Sequence, residues 1–309
     1  MKVFLTGGTG VVGRSLVPEL VAAGHDVRAV CRREEAAVAV RSAGAEPVTV
    51  DLFDADAVAD AVVGSEAVLH LATNVPMMSK ATRAKGWDVH NRLRTEATRN
   101  LVVAARAAGA QRFVKESITF VYADAGDAWI DEDAPLIPDL GLLASTVDGE
   151  QSALDFASDG GVTVVLRFGL FYGGSRNRGT DDALKLAKVR RSAIAGSADA
   201  YMSSIHCDDV ASAVIAALGV ETGIYNVTDD APVPRGEYLA AFADAFGIKA
   251  PKPTPTRLMK LAGGPAAAAL TASQRVSNRK FRAATGWQPR YPDVAKGWAA
   301  EAATRRRSA

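Results

Sequence analysis

Cysteine is scarce in this chain: Cys31 and Cys207 are the two among 309 residues, far apart and in unlike surroundings. That excludes a disulfide framework and argues against a clustered metal site, and it makes the cytoplasm the expected compartment. The four histidines show no metal-ligand spacing, so no metal is expected. An excess of one charge is lacking too. Lys and Arg number 36 against 35 Asp and Glu, so no net field favours nucleic acid or an anionic membrane. No apolar run approaches the roughly 20 residues of a membrane span. The N-terminal Met1–Thr6 leads straight into a glycine loop, without the apolar core and cleavage site of a signal peptide. Internal repeats and long low-complexity segments are missing as well. What remains is a small-molecule protein, long enough to bury a large core without staples.

Short β-rich runs, Val3–Leu5, Val27–Val30, Pro47–Val50, Ala67–Leu71, Arg112–Lys115 and Val162–Arg167, alternate with stretches of helical composition. These stretches are Gly13–Ala23, Ala55–Val62, Arg94–Ala108 and Gly149–Ser158, with apolar residues recurring at three and four positions. Strands apolar on both faces and separated by helices predict an α/β fold, a doubly wound parallel sheet of Rossmann type. After Arg167 the rhythm changes. A helix is expected at Asp181–Arg190, then Ile205–Leu218 and Ile224–Val227 read as a helix and a strand returning to the sheet, and Gly236–Phe246 and Tyr291–Thr304 read as helices. The expected organisation is a dinucleotide-binding domain over 1–170 with 205–228, and a smaller discontinuous substrate lobe over 171–204 and 229–309. Two long connections, Asn74–Trp87 with its Met77-Met78 pair and Gly173–Met202, are expected to form a lid on the carboxyl side of the sheet.

The first strand ends at Thr6, and the loop Gly7-Gly8-Thr9-Gly10-Val11-Val12-Gly13 opens a helix. In that context the glycines let the backbone approach a pyrophosphate, whose charge rests on free N–H groups at the helix N-terminus. At the end of the second strand, where an NAD site offers a carboxylate to the ribose, stand Cys31, Arg32 and Arg33. Guanidinium forks suit a 2′-phosphate, so the cofactor expected is NADPH/NADP+. Asp51 and Leu52 end the third strand, placed to meet the adenine edge, and Asp54 is positioned to cap the next helix.

These residues, with His70-Leu71-Ala72-Thr73, Asn91, Arg167-Phe168-Gly169-Leu170-Phe171-Tyr172-Gly173, Ile205-His206-Cys207-Asp208-Asp209-Val210-Ala211, Tyr225-Asn226-Val227 and Gly286-Trp287-Gln288-Pro289, follow one another in a familiar order. The chain resembles the extended and atypical NAD-dependent epimerase/dehydratase branch of the short-chain dehydrogenase/reductase superfamily. The resemblance implies that Leu71, Ala72 and Thr73 line the ribose and phosphates, and that Phe168, Gly169 and Leu170 face the nicotinamide. His206 would border the substrate lobe, although its neighbours Asp208 and Asp209 suit a structural histidine; His70 and His90 also read as structural.

One part of the family pattern is missing. Members polarise a carbonyl with a Tyr tuned by a Lys four residues later, helped by a Ser or Thr after the fifth strand. Aligned on Tyr122 and Glu150, those three positions read Ile118, Leu142 and Thr146, and no Tyr or Lys lies between Asp124 and Val165. Ser117, Thr119 and Tyr122 are the available substitutes. Three readings follow: a reductase with another proton source, a non-catalytic NADP(H)-binding regulator, or an enzyme of different chemistry such as a nucleotide-sugar epimerase or dehydratase. The sugar chemistries depend most directly on the missing Tyr and Lys. Triad-less relatives that reduce ketones on aromatic polyketides, in antibiotic biosynthesis, make an NADPH-dependent ketoreductase of a bulky aromatic small molecule the leading expectation.

Overall fold

The computed structural model describes residues 1–75, 84–174, 177–263 and 266–308. In chain order its strands are β1 (Lys2–Thr6), β2 (Asp26–Val30), β3 (Glu46–Val48), β4 (Ala67–His70), β5 (Arg112–Ile118), β6 (Trp129–Ile130) and β7 (Val162–Phe168). They continue as β8 (Leu170–Tyr172), β9 (Tyr201–Met202), β10 (Ser204–His206), β11 (Gly223–Val227), β12 (Val233–Pro234) and β13 (Arg275–Val276). Seven of them make one sheet in the order β11-β7-β5-β4-β1-β2-β3. Pairing is parallel for β1 with β2 and β4, for β2 with β3, and for β4 with β5. The strand order reverses at β1, and outside the carboxyl ends of the strands at such a reversal open α/β sheets take their ligands. Phe4 and Leu5, successive and therefore on opposite faces, are both fully buried, as a sheet covered on both sides requires.

By contact the chain divides into two units. The first comprises Met1–Ser117, Ala144–Leu166 and Val210–Tyr225. Its helices Ala55–Val62 and Thr98–Ala107 bring Val58 and Leu101 onto Phe4, Phe113 and Phe156 of one apolar cluster. Asp54 caps the first of these, its carboxylate accepting from the N–H groups of Asp56 and Ala57 at 3.1 Å each.

Several elements depart from the sequence expectation for identifiable reasons. The helix expected from Arg94 begins as a π-helical turn, Leu93–Ala97, and becomes α-helical at Thr98. There His70 Nε2 donates to the Leu93 carbonyl (2.9 Å) and Thr98 Oγ1 donates to the Arg94 carbonyl (2.6 Å), so side chains intrude on the helical ladder. Strand β5 runs three residues past Lys115, because Lys115, Glu116 and Ser117 all find buried partners. The helix expected at Gly149–Ser158 lies at Ala144–Leu154 and tightens to a 3₁₀ turn, Asp155–Asp159. Ile205 is not helical: it pairs with Phe171 in β10–β8, and the helix starts at Cys207.

The second unit comprises Ile118–Leu143, Arg167–Asp209 and Asn226–Ala309. Three two-stranded ladders serve it: β8 with β10, β9 with β12, and β6 with β13. The helices Arg178–Lys188, Arg235–Phe246 and Val294–Ser308 enclose an aromatic core in which Trp298 lies 4.9 Å from both Tyr172 and Phe242, centroid to centroid. The first of these begins three residues before the expected Asp181, since Asn177 caps it by accepting from the Gly179 N–H (2.9 Å). Met77 and Met78 of the expected lid lie outside the described residues. Among the described residues no helix is long and apolar enough to cross a membrane.

Candidate functional site

The glycine loop follows the buried Thr6 at the end of β1, and at Gly7 and Gly13 neighbouring backbone leaves no room for a side chain. Gly7 takes φ +83°, and a Cβ there would stand 2.7 Å from the Leu71 carbonyl group. A Cβ on Gly13 would lie 2.3 Å from the Gly7 carbonyl oxygen. The turn is closed by the Gly10 N–H donating to the Gly7 carbonyl (3.0 Å), while Arg14 Nε holds the Thr9 carbonyl (3.1 Å). Val12 begins the helix Gly13–Ala22 without any side-chain cap; the Arg14 and Ser15 N–H groups donate to the Gly10 and Val12 carbonyls (3.3 and 3.1 Å), and the helix presents its positive end to the loop. Gly10 and Val11 are exposed at this edge. A cradle that any Cβ would fill, open at a helix N-terminus, fits a pyrophosphate.

Around it lie the other expected contacts of the first unit. Cys31 is buried, whereas Arg32 and Arg33 are exposed, and among the described residues neither guanidinium is engaged in an ion pair. Glu34, the nearest acid, is taken by Arg41 at 2.8 Å. Asp51 turns the chain by accepting from the Phe53 N–H (3.0 Å). Leu52 is buried in the apolar cluster, so its backbone, not its side chain, is what it can offer to a ligand. Leu71 and Ala72 are half-buried and Thr73 is exposed, immediately after β4. The arrangement suits a nicotinamide dinucleotide.

In the second unit Phe168 is fully buried and packs 5.4 Å from Phe171, so its ring belongs to the core. A Cβ on Gly169 would meet the Ser203 carbonyl oxygen at 2.9 Å, and Leu170 is half-buried. His206 accepts the Asp208 N–H at Nδ1 (3.2 Å), lies 4.3 Å from the Tyr291 ring, and is pushed down in pKa by burial. That is a structural histidine's environment.

The positions of the missing triad are apolar or committed. Ile118 and Leu142 are half-buried, and Thr146 is buried with no hydrogen-bond partner for its hydroxyl among the described residues. Ser117 Oγ donates to the Glu150 carboxylate. Thr119 is buried. Tyr122 is fully buried, donates to Asn226 Oδ1 (2.8 Å), and is pushed up to about 12 by burial.

Sequence reasoning missed a charged cluster inside the first unit. Arg94 Nη2 meets Glu116 Oε1 at 3.1 Å, with side-chain exposures of 2% and 8%, and Arg94 Nε donates to His90 Nε2 at 2.9 Å. Lys115 donates to the Glu116 carbonyl (2.6 Å), and burial pulls its pKa to about 8. His70 bridges Thr6 Oγ1 (2.7 Å) and the Leu93 carbonyl, and so ties the ends of β1 and β4 at the mouth of the cofactor loop. The Leu93 carbonyl fixes its Nε2–H tautomer; burial and the nearby cations hold both His70 and His90 neutral, near 3. The sequence signal is the Lys115-Glu116 pair directly after the apolar Phe113-Val114.

Comparison with known proteins agrees with this architecture. Residues 3–228 match the model of the "NAD dependent epimerase/dehydratase family". A Streptomyces "3-diazoavenalumate denitrifying reductase" is 36% identical over 309 residues, covering 96% of this chain and 99% of the relative. A Stigmatella aurantiaca "4-hydroxy-2-methyl-3-oxo-4-farnesyl-3,4-dihydroquinoline-1-oxide ketoreductase" is 31% identical over 258 residues, 81% of this chain and 75% of the relative. Among solved structures, MoeE5 in complex with UDP-glucose and NAD superposes with TM-score 0.80 at 24% identity, covering 100% of this chain and 99% of that one. The human epimerase family protein SDR39U1 with NADPH gives 0.79 at 24% identity, covering 98% and 99%. With its Rossmann sheet, its glycine cradle and a family match over most of its length, the chain belongs to the NAD-dependent epimerase/dehydratase family, as an atypical short-chain dehydrogenase/reductase.

Proposed function

We propose that the protein is an oxidoreductase that binds NADPH and reduces a bulky aromatic or polyketide-like small molecule at a ketone, with the substrate's own neighbouring phenol or enol taking up the negative charge. The observation that carries this is the contrast between an intact cofactor cradle and an acid site reading Ile118, Leu142 and Thr146. NADPH, when bound, supplies the hydride. The loop N–H groups hold the pyrophosphate, and Arg32 and Arg33 offer forks to the 2′-phosphate. Hydride arriving at a ketone carbon leaves an alkoxide that something must stabilise. The Ser117 and Tyr122 hydroxyls already donate hydrogen bonds to Glu150 and Asn226, and a phenol near 12 is a poor acid. Positioning alone supplies a large share of the rate, and a missing general acid costs roughly 10²–10⁴-fold. A conjugated phenolate on the substrate offsets that loss. The Stigmatella ketoreductase supports a ketone as acceptor.

The full-length relative that acts on a diazo compound favours a second acceptor. An arenediazonium takes hydride at its terminal nitrogen to give a diazene, which expels N₂ and leaves that hydrogen on the ring. No proton is needed, so this acceptor also suits a site without an acid. One panel tests both readings: NADPH consumption with a hydroxyaryl ketone, its O-methyl ether and a hydroxyarene diazonium. Turnover of the free phenol with loss on methylation supports the ketone reading, and nitrogen release supports the second. Equal rates for ketone and ether would overturn substrate assistance, and NADPH binding without consumption of any acceptor would make the protein a regulator.

A further inference from the structure

The second unit contains a pocket of about 200 Å³ within its own core, walled by Phe171, Tyr172, Tyr238, Phe242 and Trp298. For scale, a dry cavity of about 150 Å³ holds a benzene ring. This one is open on one side and has room for one substituted ring. Aromatic side chains in the lining favour a planar guest over a flexible chain, because offset and edge-to-face contacts need a planar partner.

The pocket also has a polar feature that the fold does not use. Thr180, in the first turn of the helix Arg178–Lys188, lines it, is 1% exposed, and has no hydrogen-bond partner for its hydroxyl among the described residues. A buried hydroxyl left unpaired destabilises a protein, and native interiors rarely keep one without a reason. At the far end of the same helix Arg190 takes φ +58°, where helix ends favour glycine, and Arg191 after it reaches the pocket wall while remaining exposed.

We propose that this pocket is a binding site for a single aromatic ring bearing a phenolic or carbonyl oxygen, which accepts a hydrogen bond from Thr180. The site lies wholly in the second unit and binds without the cofactor. The test titrates the NADPH-free protein with 4-hydroxyacetophenone, ethylbenzene and octanoate, following tryptophan fluorescence and intermolecular NOEs. 4-Hydroxyacetophenone should quench Trp298, with the signal lost in Trp298→Phe, and its ring protons should show NOEs to Ala183 and Leu239. Ethylbenzene should bind about tenfold more weakly, as one hydrogen bond is worth. Thr180→Val should erase that tenfold gap and raise the Tm, since a methyl is content where an unpaired hydroxyl was not. Ala183→Phe should block the ring. The proposal is overturned if octanoate binds more tightly than either aromatic, if Thr180→Val preserves the gap, or if the NOEs lie elsewhere. Because no step involves NADPH, a failed turnover assay leaves this result standing, and a failed titration leaves the reductase reading standing.

Discussion

Buried charge is drawn into one cluster behind the glycine loop of the first unit, and aromatic rings are drawn into one cluster in the second. Behind its glycine loop the first packs Arg94, Lys115 and Glu116 with two neutral histidines, and hydrogen bonds from this group fix the ends of β1, β4 and β5. The second gathers Tyr172, Tyr238, Phe242 and Trp298 into a core that stops short of filling itself. Rigid backbone plus fixed charges suit a dinucleotide, whereas a varied organic substrate is recognised by shape. The difference teaches that the two units are held together by different means, fixed charge and backbone in one and ring packing in the other.

The largest effect expected from breaking this contrast is at the loop. Gly13→Ala places a methyl 2.3 Å from the Gly7 carbonyl oxygen, with backbone on both sides and no flexible side chain to yield. NADPH binding followed by fluorescence should vanish, while 4-hydroxyacetophenone binding to the second unit stays as it was. Loss of both would dissolve the distinction between the units.

Next comes the charged interior. Arg94→Met leaves Glu116 buried beside Lys115 alone, and breaking such a pair costs about 3–5 kcal/mol. Urea unfolding measures this, and a cost below about 1 kcal/mol would mean that the pair contributes no more than a surface one.

The two units were unequally legible in the sequence. Sheet strands such as Val27–Val30 and the loop Gly7–Gly13 are short and local, so periodicity and spacing suffice to find them. The π-helical turn at Leu93–Ala97 was hidden because it depends on His70, 23 residues away in sequence from the carbonyl it bonds. Lys115 ended a strand on paper, yet the strand continues because Arg94 and Glu150 supply partners from helices that no local pattern connects to it. In the second unit Tyr172, Tyr238 and Trp298 converge from three separate segments, and Thr180 carries no motif at all. Such sites are assembled by tertiary structure.

A smaller effect sharpens the cofactor assignment. Replacing Arg32 and Arg33 with Ala removes charge-assisted hydrogen bonds, so NADPH affinity should fall about 10- to 100-fold while NADH affinity barely changes. Equal affinities for the two in the unmodified protein would contradict the NADPH reading.

A further effect is in pH, where the units lean in opposite directions. Between about 3 and the ordinary 6.5, unfolded chain binds protons at His70 and His90 that the folded chain refuses. The first unit therefore loses stability as pH falls through that window. Burial pushes Asp229, in the second unit, from 3.8 to about 8, so between those values the folded chain holds a proton that the unfolded chain has released. That unit loses stability as pH rises. Urea titrations across pH 4 to 8 should show His70→Gln flattening the acid side and Asp229→Asn flattening the other; a change of sign in either would refute the assignment.

The central claim is that hydride transfer here needs no proton from the protein. It is tested most directly by single-turnover kinetics with 4-deuterated NADPH and the accepted hydroxyaryl substrate, in H₂O and in D₂O. The account predicts that deuterium on the cofactor slows the step and appears in the product, and that Tyr122→Phe and Ser117→Ala protein keep both the rate and any slowing in D₂O, which belongs to the substrate's own O–H. A solvent isotope effect as large as the cofactor's own, lost together with turnover in Tyr122→Phe or Ser117→Ala protein that still binds NADPH, would show a protein acid at work and contradict it.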